Sequence, residues 1–338
     1  MIRSGPRNLI TDVDGILVGN ADDEALRSGV TVVLPEAPAT AAVDVRGGAP
    51  GTHEIESLDP TCLVDRVDAV SLSGGSAFGL DAVSGIMAWL VAEGRGFAVG
   101  PARVPIVPGA ILFDLLNGGD KEWGEETPYR ALGLRACERA GPEFRLGNAG
   151  AGLGAKAGRF KGGLGSVSAL ADDGIQVGAV MAVNAFGSVT VPGAPSFWAW
   201  TLEQDGELGG QPAPPAGAQL ELDYGFDSSL AANTTIGVVA TNVSLDKAQA
   251  QRVAIMAQDG IARAVRPAHT PFDGDTVFVL STAKLPLAEP APATIGRLGT
   301  MAADCVARAV ARGVYAAEPL GDLPGYRATH GDQLLGLG

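Results

Sequence analysis

Residues 228–243 read SSLAANTTIGVVATNV. A small, polar lead-in ends at Asn233, and a β-rich run opens with Thr234 and Thr235. Read locally, this is a loop entering a buried strand, because β-branched residues alternating with small ones suit a pleated, packed surface. A threonine at the start of a strand has a second use. Were the chain cut between Asn233 and Thr234, the Thr234 hydroxyl would lie beside its own α-amine. A free α-amine titrates at about 7.7–8.0, well placed to accept the hydroxyl proton near neutrality. One residue would then supply both nucleophile and base. The local pattern favours the plain strand entrance, so the rest of the chain has to decide.

Working outward, the C-terminal side carries SLDKAQAQRVAIMAQDGIARAV, a helix with Ser244 as its cap, then the strand DTVFVLST, then a helix through TIGRLGTMAADCVARAVARGV. This β-α-β-α tail has too few strands for its own sheet. Its strands are therefore expected to pair with strands from before the loop, making 1–338 a single domain. On the N-terminal side, Glu203 to Asn233 is rich in Gly, Pro and acid and reads as an exposed, mobile loop. GSVSALADDGIQVGAVMAVNAFGSVTV reads as a β-hairpin turning at Asp172-Asp173-Gly174. Earlier still, SGVTVVLP, ATAAVDVRGG and VDAVSLSGG read as strands. Phe78, Leu80, Val83, Ile86, Met87 and Leu90 mark a helical face ending near Gly94. TPYRALGLRACERAG reads as a helix capped by Thr127, with Pro128 in its first turn and a stop at Gly141. The class is mixed α/β.

Composition narrows the functions. Twenty-four basic against 38 acidic residues leave a net charge of −14, which repels phosphate backbones and anionic lipid; neither a nucleic acid nor a membrane is expected as partner. The three cysteines form no disulfide framework or metal pattern, and Cys62 and Cys305 read as small core residues. The N-terminal stretch lacks a signal-like apolar segment and no apolar run reaches membrane length, so a soluble cytoplasmic protein is expected.

Several constellations invite chemistry. Gly150-x-Gly152-x-x-Ala155 fits a loose dinucleotide fingerprint, but a strand pattern follows where a helix is needed, and Lys156 lacks the Ser or Thr of a phosphate loop. Lys156 and Lys161 read as solvated cations. His53, His269 and His330 show no metal spacing and read as surface or loop residues. No cofactor and no metal is expected. The turn Ser73-Gly74-Gly75-Ser76 could aim backbone N–H groups at an oxyanion. Asp273 and Asp275 flank Gly274 just before a strand; they read as a polar turn, or, if the strand starts that early, as two carboxylates on one side.

Eight blocks then occur in order: LITDVDGILVGN, VDVRGGAPGTHEIESLDP, VDAVSLSGGSAFGLDAVSGI, VPIVPGAILFDL, GNAGAGLGAKAGRFKGGLGSVS, AVNAFG, NTTIGVVATN and HTPFDGDTVFVLST. Together they resemble the self-processing aminopeptidase/amidohydrolase family. This family includes the S58-type peptidases, the β-peptidyl aminopeptidases, the D-aminopeptidase/L-esterase enzymes and the nylon-oligomer endo-hydrolases; the last are the most similar branch. The resemblance implies a four-layer αββα sandwich of the N-terminal-nucleophile kind. It also implies autocleavage into 1–233 and 234–338, and a homotetramer acting on a small peptide or oligoamide. By motif it assigns Thr234 as nucleophile and base, and Asn184 of AVNAFG as an oxyanion donor. It makes Lys156 an active-site lysine and Asp273 and Asp275 an acidic pair near the nucleophile. Phe113 stands where relatives often carry a tyrosine, so that phenolic donor is lost. Two other readings remain open: an acyltransferase like the ornithine acetyltransferases, and a non-catalytic scaffold that never matures.

Overall fold

The computed structural model describes residues 1–216, 218 and 233–335. Thr234–Val243 (β8) has every residue buried. Its period of two divides two cores: Ile236, Val238 and Ala240 face one apolar cluster, and Val239 and Val243 another. β8 pairs antiparallel with Gln176–Asn184 (β7), which pairs antiparallel with Gly163–Ala171 (β6). On its other side β8 runs parallel to Thr276–Leu285 (β9), which pairs antiparallel with Ala39–Val45 (β3). The tail strands are thus inserted between strands from before the loop, as expected. Short strands at Ile2–Arg3 and Arg66–Val67 complete a seven-stranded sheet.

The second sheet has five strands, including Ile16–Asp23 (β1), Ser28–Pro35 (β2), Val70–Ser73 (β4) and Gly109–Ile111 (β5). Between the sheets, Ile236, Val238, Phe278 and Leu280 meet Val18, Val33 and Leu72. Helices Lys247–Ala264 (α3) and Ala291–Ala316 (α4) cover the outer face of the large sheet through residues such as Ala254, Ile261, Val306 and Val310. Helices Ala82–Ala92 (α1) and Tyr129–Glu138 (α2) cover the small sheet through Val83, Ile86, Leu90 and Leu132. The order is helix, sheet, sheet, helix: the four-layer αββα sandwich. Three apolar clusters, one per interface between layers, hold it together.

Local details depart from the sequence reading where long-range contacts decide. A short 3-10 turn, Ser76–Asp81, precedes α1, leaving Phe78 half-exposed with its ring edge-on to Trp123. Thr127 does not cap α2; its hydroxyl donates to Asp81 at 2.9 Å. The cap of α3 is Asp246, not Ser244: its carboxylate accepts the Gln249 N–H at 2.8 Å, and Gln249 returns a bond to the Asp246 N–H. Cys62 is exposed rather than a core residue. Lys161 is fully buried rather than solvated, its ammonium donating to the Gly152 and Gly162 carbonyls at 2.9 and 2.6 Å. That burial lowers its pKa to about 7 against the opposing pull of Asp114. Residues 217 and 219–232 of the expected loop lie outside the described residues. Its first part is packed, with Leu208 buried and Glu207 in a buried ion pair with Arg308 at 2.8 Å.

Helix α4 lies on the backbone of β6. A Cβ at Gly165 would stand 1.9 Å from the Ala309 carbonyl oxygen, and neither partner is a flexible side chain. Gly165→Ala is expected to push α4 off the sheet and cost about 1–3 kcal/mol or more, as overpacking does. A urea titration followed by circular dichroism checks this.

Candidate active site

Three chain segments converge at Thr234. It is the first residue of β8 and only 4% exposed. Asn184, the last residue of β7, lies directly opposite it in the antiparallel register. Residues directly opposite each other project side chains to the same face, about 4.5–5.5 Å apart at Cβ. The third segment is the turn before β9, which enters the sheet beside Asn233 through a bridge between Asn233 and Asp273.

The peptide bond ahead of Thr234 is held on both sides. The Thr234 hydroxyl is hydrogen-bonded to the Asn233 carbonyl oxygen. The same oxygen accepts the Gly274 N–H at 3.1 Å. The two flanking acids do not sit on one side of a strand, because β9 begins only at Thr276. Each carboxylate instead ties down a different strand neighbour. Asp275 accepts the Thr235 N–H at 2.8 Å through one oxygen, and the His269 N–H and ring Nδ1 at 3.1 and 2.8 Å through the other. Asp273 accepts the Thr270 N–H and hydroxyl at 2.9 and 2.6 Å, and the Phe186 N–H at 3.3 Å. Both acids are 2% exposed. Burial, and then the neighbouring Asp275, hold the Asp273 carboxyl above the ordinary carboxylate range, with Thr270 pulling the other way.

Asn184 is fixed from two directions. Its Oδ1 accepts the Lys156 N–H at 2.8 Å, and its Nδ2 donates to the Phe113 carbonyl at 3.0 Å. Lys156 belongs to a short hairpin, Lys156–Ala157 with Phe160–Lys161, and its side chain is exposed. Asn233, Asn184, Lys156, Phe113 and Phe186 all line a cavity of about 500 Å³. The amide of Asn184, the cation Lys156 and Asn233, the residue just before Thr234, thus share one cavity. Among the described residues no three His, Cys, Asp or Glu gather as metal ligands.

The turn Ser73–Ser76 is not brought to this cavity, and its amides are committed elsewhere: Gly74 N–H to Gly29 O, Gly75 N–H to Asp114 and Ser76 N–H to Leu112 O. The expectation that it holds an oxyanion is corrected accordingly. Two contributors escaped the sequence reading. Gly274 acts through its backbone and leaves no side-chain signal. His269 was read as a loop residue; its spacing ahead of Asp275 in HTPFDGD is the only trace of the pairing.

The family described as Peptidase family S58 matches residues 8–327. The chain belongs to peptidase family S58. It is therefore a hydrolase of peptide or amide bonds, and the resemblance carried by the eight blocks is borne out. A Mycobacterium tuberculosis protein named as an uncharacterized aminopeptidase is 44% identical over 338 residues, covering 95% of this chain and 97% of its own. The 6-aminohexanoate-oligomer endohydrolase of a Kocuria species is 29% identical over 315 residues, covering 88% and 82%. Among solved structures, the L-aminopeptidase D-Ala-esterase/amidase of Ochrobactrum anthropi, described as a variant of the Ntn hydrolase fold, superposes with a TM-score of 0.73. It is 22% identical, with 98% of this chain and 94% of that one covered. A Burkholderia β-aminopeptidase superposes with a TM-score of 0.72 at 22% identity, covering 99% and 95%. These structures give the S58 chain its fold, and the family gives it its reaction class.

Asp273 makes a pH-dependent contribution with a definite sign. Folded Asp273 titrates above the unfolded value of about 3.9. Between the two values the folded state binds more protons, so the residue's contribution to stability falls as pH rises through that window. The unfolding free energy of Asp273→Asn minus that of wild type is expected to rise with pH across the acid range. It should level off once folded Asp273 is ionised. Urea titrations at a series of pH values read this directly.

Proposed function

We propose that this S58 peptidase matures by cutting its own Asn233–Thr234 bond and then hydrolyses amides with Thr234 as N-terminal nucleophile. The observation that carries the reading is the Asn233 carbonyl, which meets the Thr234 hydroxyl and the Gly274 N–H at once. The hydroxyl oxygen attacks the Asn233 carbonyl carbon, and negative charge develops on the oxygen already facing Gly274. The C–N bond breaks as the C–O bond forms, and the proton passes to the departing amine. Water then opens the resulting ester, leaving a carboxylate at Asn233 and a free amine on Thr234. That amine serves as base in every later turnover.

In the mature enzyme a substrate carbonyl takes the place of the Asn233 carbonyl. It meets the same Gly274 N–H, with Asn184 as a second donor beside Thr234. Lys156, anchored through its backbone to Asn184, places a positive charge at the cavity mouth. Asp275 holds Thr235 by its N–H, and with it the first pleat of β8; Asp273 holds the turn that carries Gly274. The substrates are small aminoacyl amides or oligoamides, the two kinds named among the relatives. The two pieces remain one domain, and a cytoplasmic homotetramer is the expected form. No helix among the described residues is long and apolar enough to cross a membrane.

Purified wild type is expected to run as fragments 1–233 and 234–338 under denaturing conditions, with mass spectrometry placing Thr234 at the new N-terminus. Thr234→Ala should stay intact and inactive. Cleavage that persists in Thr234→Ala, or an intact and fully active wild type, overturns the reading. Asn184→Ala is expected to lower kcat by about 10²–10³ if its amide meets the oxyanion. Steady-state kinetics on a panel of aminoacyl p-nitroanilides and 6-aminohexanoate oligomers measures this and ranks the substrates. Light scattering checks the tetramer.

A further inference from the structure

The two buried acids beside Thr234 are held by consecutive residues. Thr270 donates its N–H and hydroxyl to one oxygen of Asp273 at 2.9 and 2.6 Å. His269 turns its N–H and its ring Nδ1 onto one oxygen of Asp275 at 3.1 and 2.8 Å. Each acid keeps its other oxygen for a strand end: Asp275 accepts the Thr235 N–H at 2.8 Å, and Asp273 the Phe186 N–H at 3.3 Å. Asp275 therefore links the His269 ring to the amide that directly follows the proposed nucleophile. His269 is not among the residues that line the cavity, so any effect it has on the chemistry passes through Asp275.

The backbone around His269 is held without the ring. The run before it lies on the extension of β7: Ser188 and Arg266 exchange N–H···O bonds at 3.0 and 2.9 Å, and a Cβ at Gly187 would stand 2.1 Å from the Pro267 carbonyl oxygen. The run after it is tied to the loop beyond β3. There Arg46, Gly48 and Ala49 donate their N–H groups to the carbonyls of Asp275, Thr270 and Asp273 at 3.0, 3.2 and 2.8 Å. What the ring adds is a second donor on an Asp275 oxygen. It does so from a left-handed backbone with φ of 57°, which glycine adopts freely and a residue with a Cβ disfavours. The Asp275 side chain is 2% exposed and the His269 side chain 22%. A carboxylate that deeply buried depends on its donors for both its solvation and its orientation.

We propose that His269 is a positioning residue for the Thr234 reaction: its ring fixes the Asp275 carboxylate, which fixes the Thr235 N–H and with it the peptide plane from which the Thr234 side chain projects. Without the ring, Asp275 keeps one donor on that oxygen and gains freedom to turn. A reacting group displaced by about 1 Å loses on the order of 10²-fold in rate. The loss falls on kcat, because no group that meets the bound substrate is removed. The inference rests on Thr234 as the nucleophile, and the state of the Thr235 N–H is measurable apart from any turnover.

Two variants test it. His269→Gly keeps the backbone N–H on Asp275 and relieves the left-handed conformation, so it is expected to fold with a urea midpoint no lower than that of wild type. It should nevertheless cut itself more slowly and lose about 10–10²-fold in kcat on the aminoacyl p-nitroanilide that wild type turns over best, with KM within about twofold. His269→Asn carries a side-chain N–H donor and tolerates a left-handed backbone, and is expected to restore most of kcat. In uncleaved Thr234→Ala, hydrogen exchange at the Thr235 amide, followed by NMR of threonine-labelled protein, should quicken with His269→Gly and slow again with His269→Asn. Wild-type kcat in His269→Gly, a loss confined to KM, a glycine variant that fails to fold, or no recovery with asparagine overturns the proposal. Quickened Thr235 exchange in a protein whose wild type neither cuts itself nor hydrolyses any anilide would sink the Thr234 reaction and leave the hold of His269 on Asp275 standing. An active wild type matched by His269→Gly in both kcat and Thr235 exchange would do the reverse.

Discussion

The carbonyl of Asn233 is the point on which the rest of the site depends. It is gripped by the Gly274 N–H from one strand entrance and touched by the Thr234 hydroxyl from its own. For those two contacts to coexist, β8 and β9 must start side by side and in parallel, which in turn requires the crossover through α3. The buried acids are the fasteners of that arrangement. Asp275 reaches back to the Thr235 N–H on β8, and Asp273 reaches across to the Phe186 N–H beyond the end of β7. A hydrogen bond to a charged acceptor is among the stronger ones available to a folded chain. Two of them hold three strand ends in register.

The layering explains why a polar site survives at the end of so apolar a sheet. Thr234 shares its face with Ile236, Val238 and Ala240, so it lies where the inter-sheet core runs out. Deeper along β8, a hydroxyl and an amide facing each other would have no solvent and no cavity. At the strand's first residue they lie beside the opening that Asn233, Asn184, Lys156, Phe113 and Phe186 line. The register therefore decides which of the two threonines shares a face with Asn184, and so which one the proposed reaction would use. Thr235, one step on, points to the other face and is fully buried.

Much of the fold was legible in the sequence because it follows from local pattern. The strands around Val30, Val180 and Val238 announce themselves by β-branched runs, and Asp172-Asp173-Gly174 announces its hairpin. What failed was decided at long range. Lys161 carries a charge that water would normally keep, and the carbonyls of Gly152 and Gly162, with the pull of Asp114, make its burial tolerable. Cys62 and Thr127 were assigned by habit of residue type and were overruled by their neighbours. At the site, pattern alone left Thr234 as a strand entrance; the ordered blocks, not the periodicity, singled it out. Gly274 could not be found from side chains because its contribution is an N–H. The pairing of His269 with Asp275 needs a left-handed residue at position 269, with φ of 57°, which no composition rule foretells.

The buried ion pair between Glu207 and Arg308 joins residues that the proposed cut would place on different chains. So do the pairings of β7 with β8 and of β3 with β9. Before the cut, finding these partners is an intramolecular search whose entropy grows only slowly with loop length. After it, the unfolded form is two separate molecules, and regaining the native state becomes an encounter that depends on concentration. Maturation would thus work as a one-way valve on folding. The sandwich has to be assembled while the chain is whole, and the mature enzyme lasts as long as it resists opening rather than by its ability to re-form.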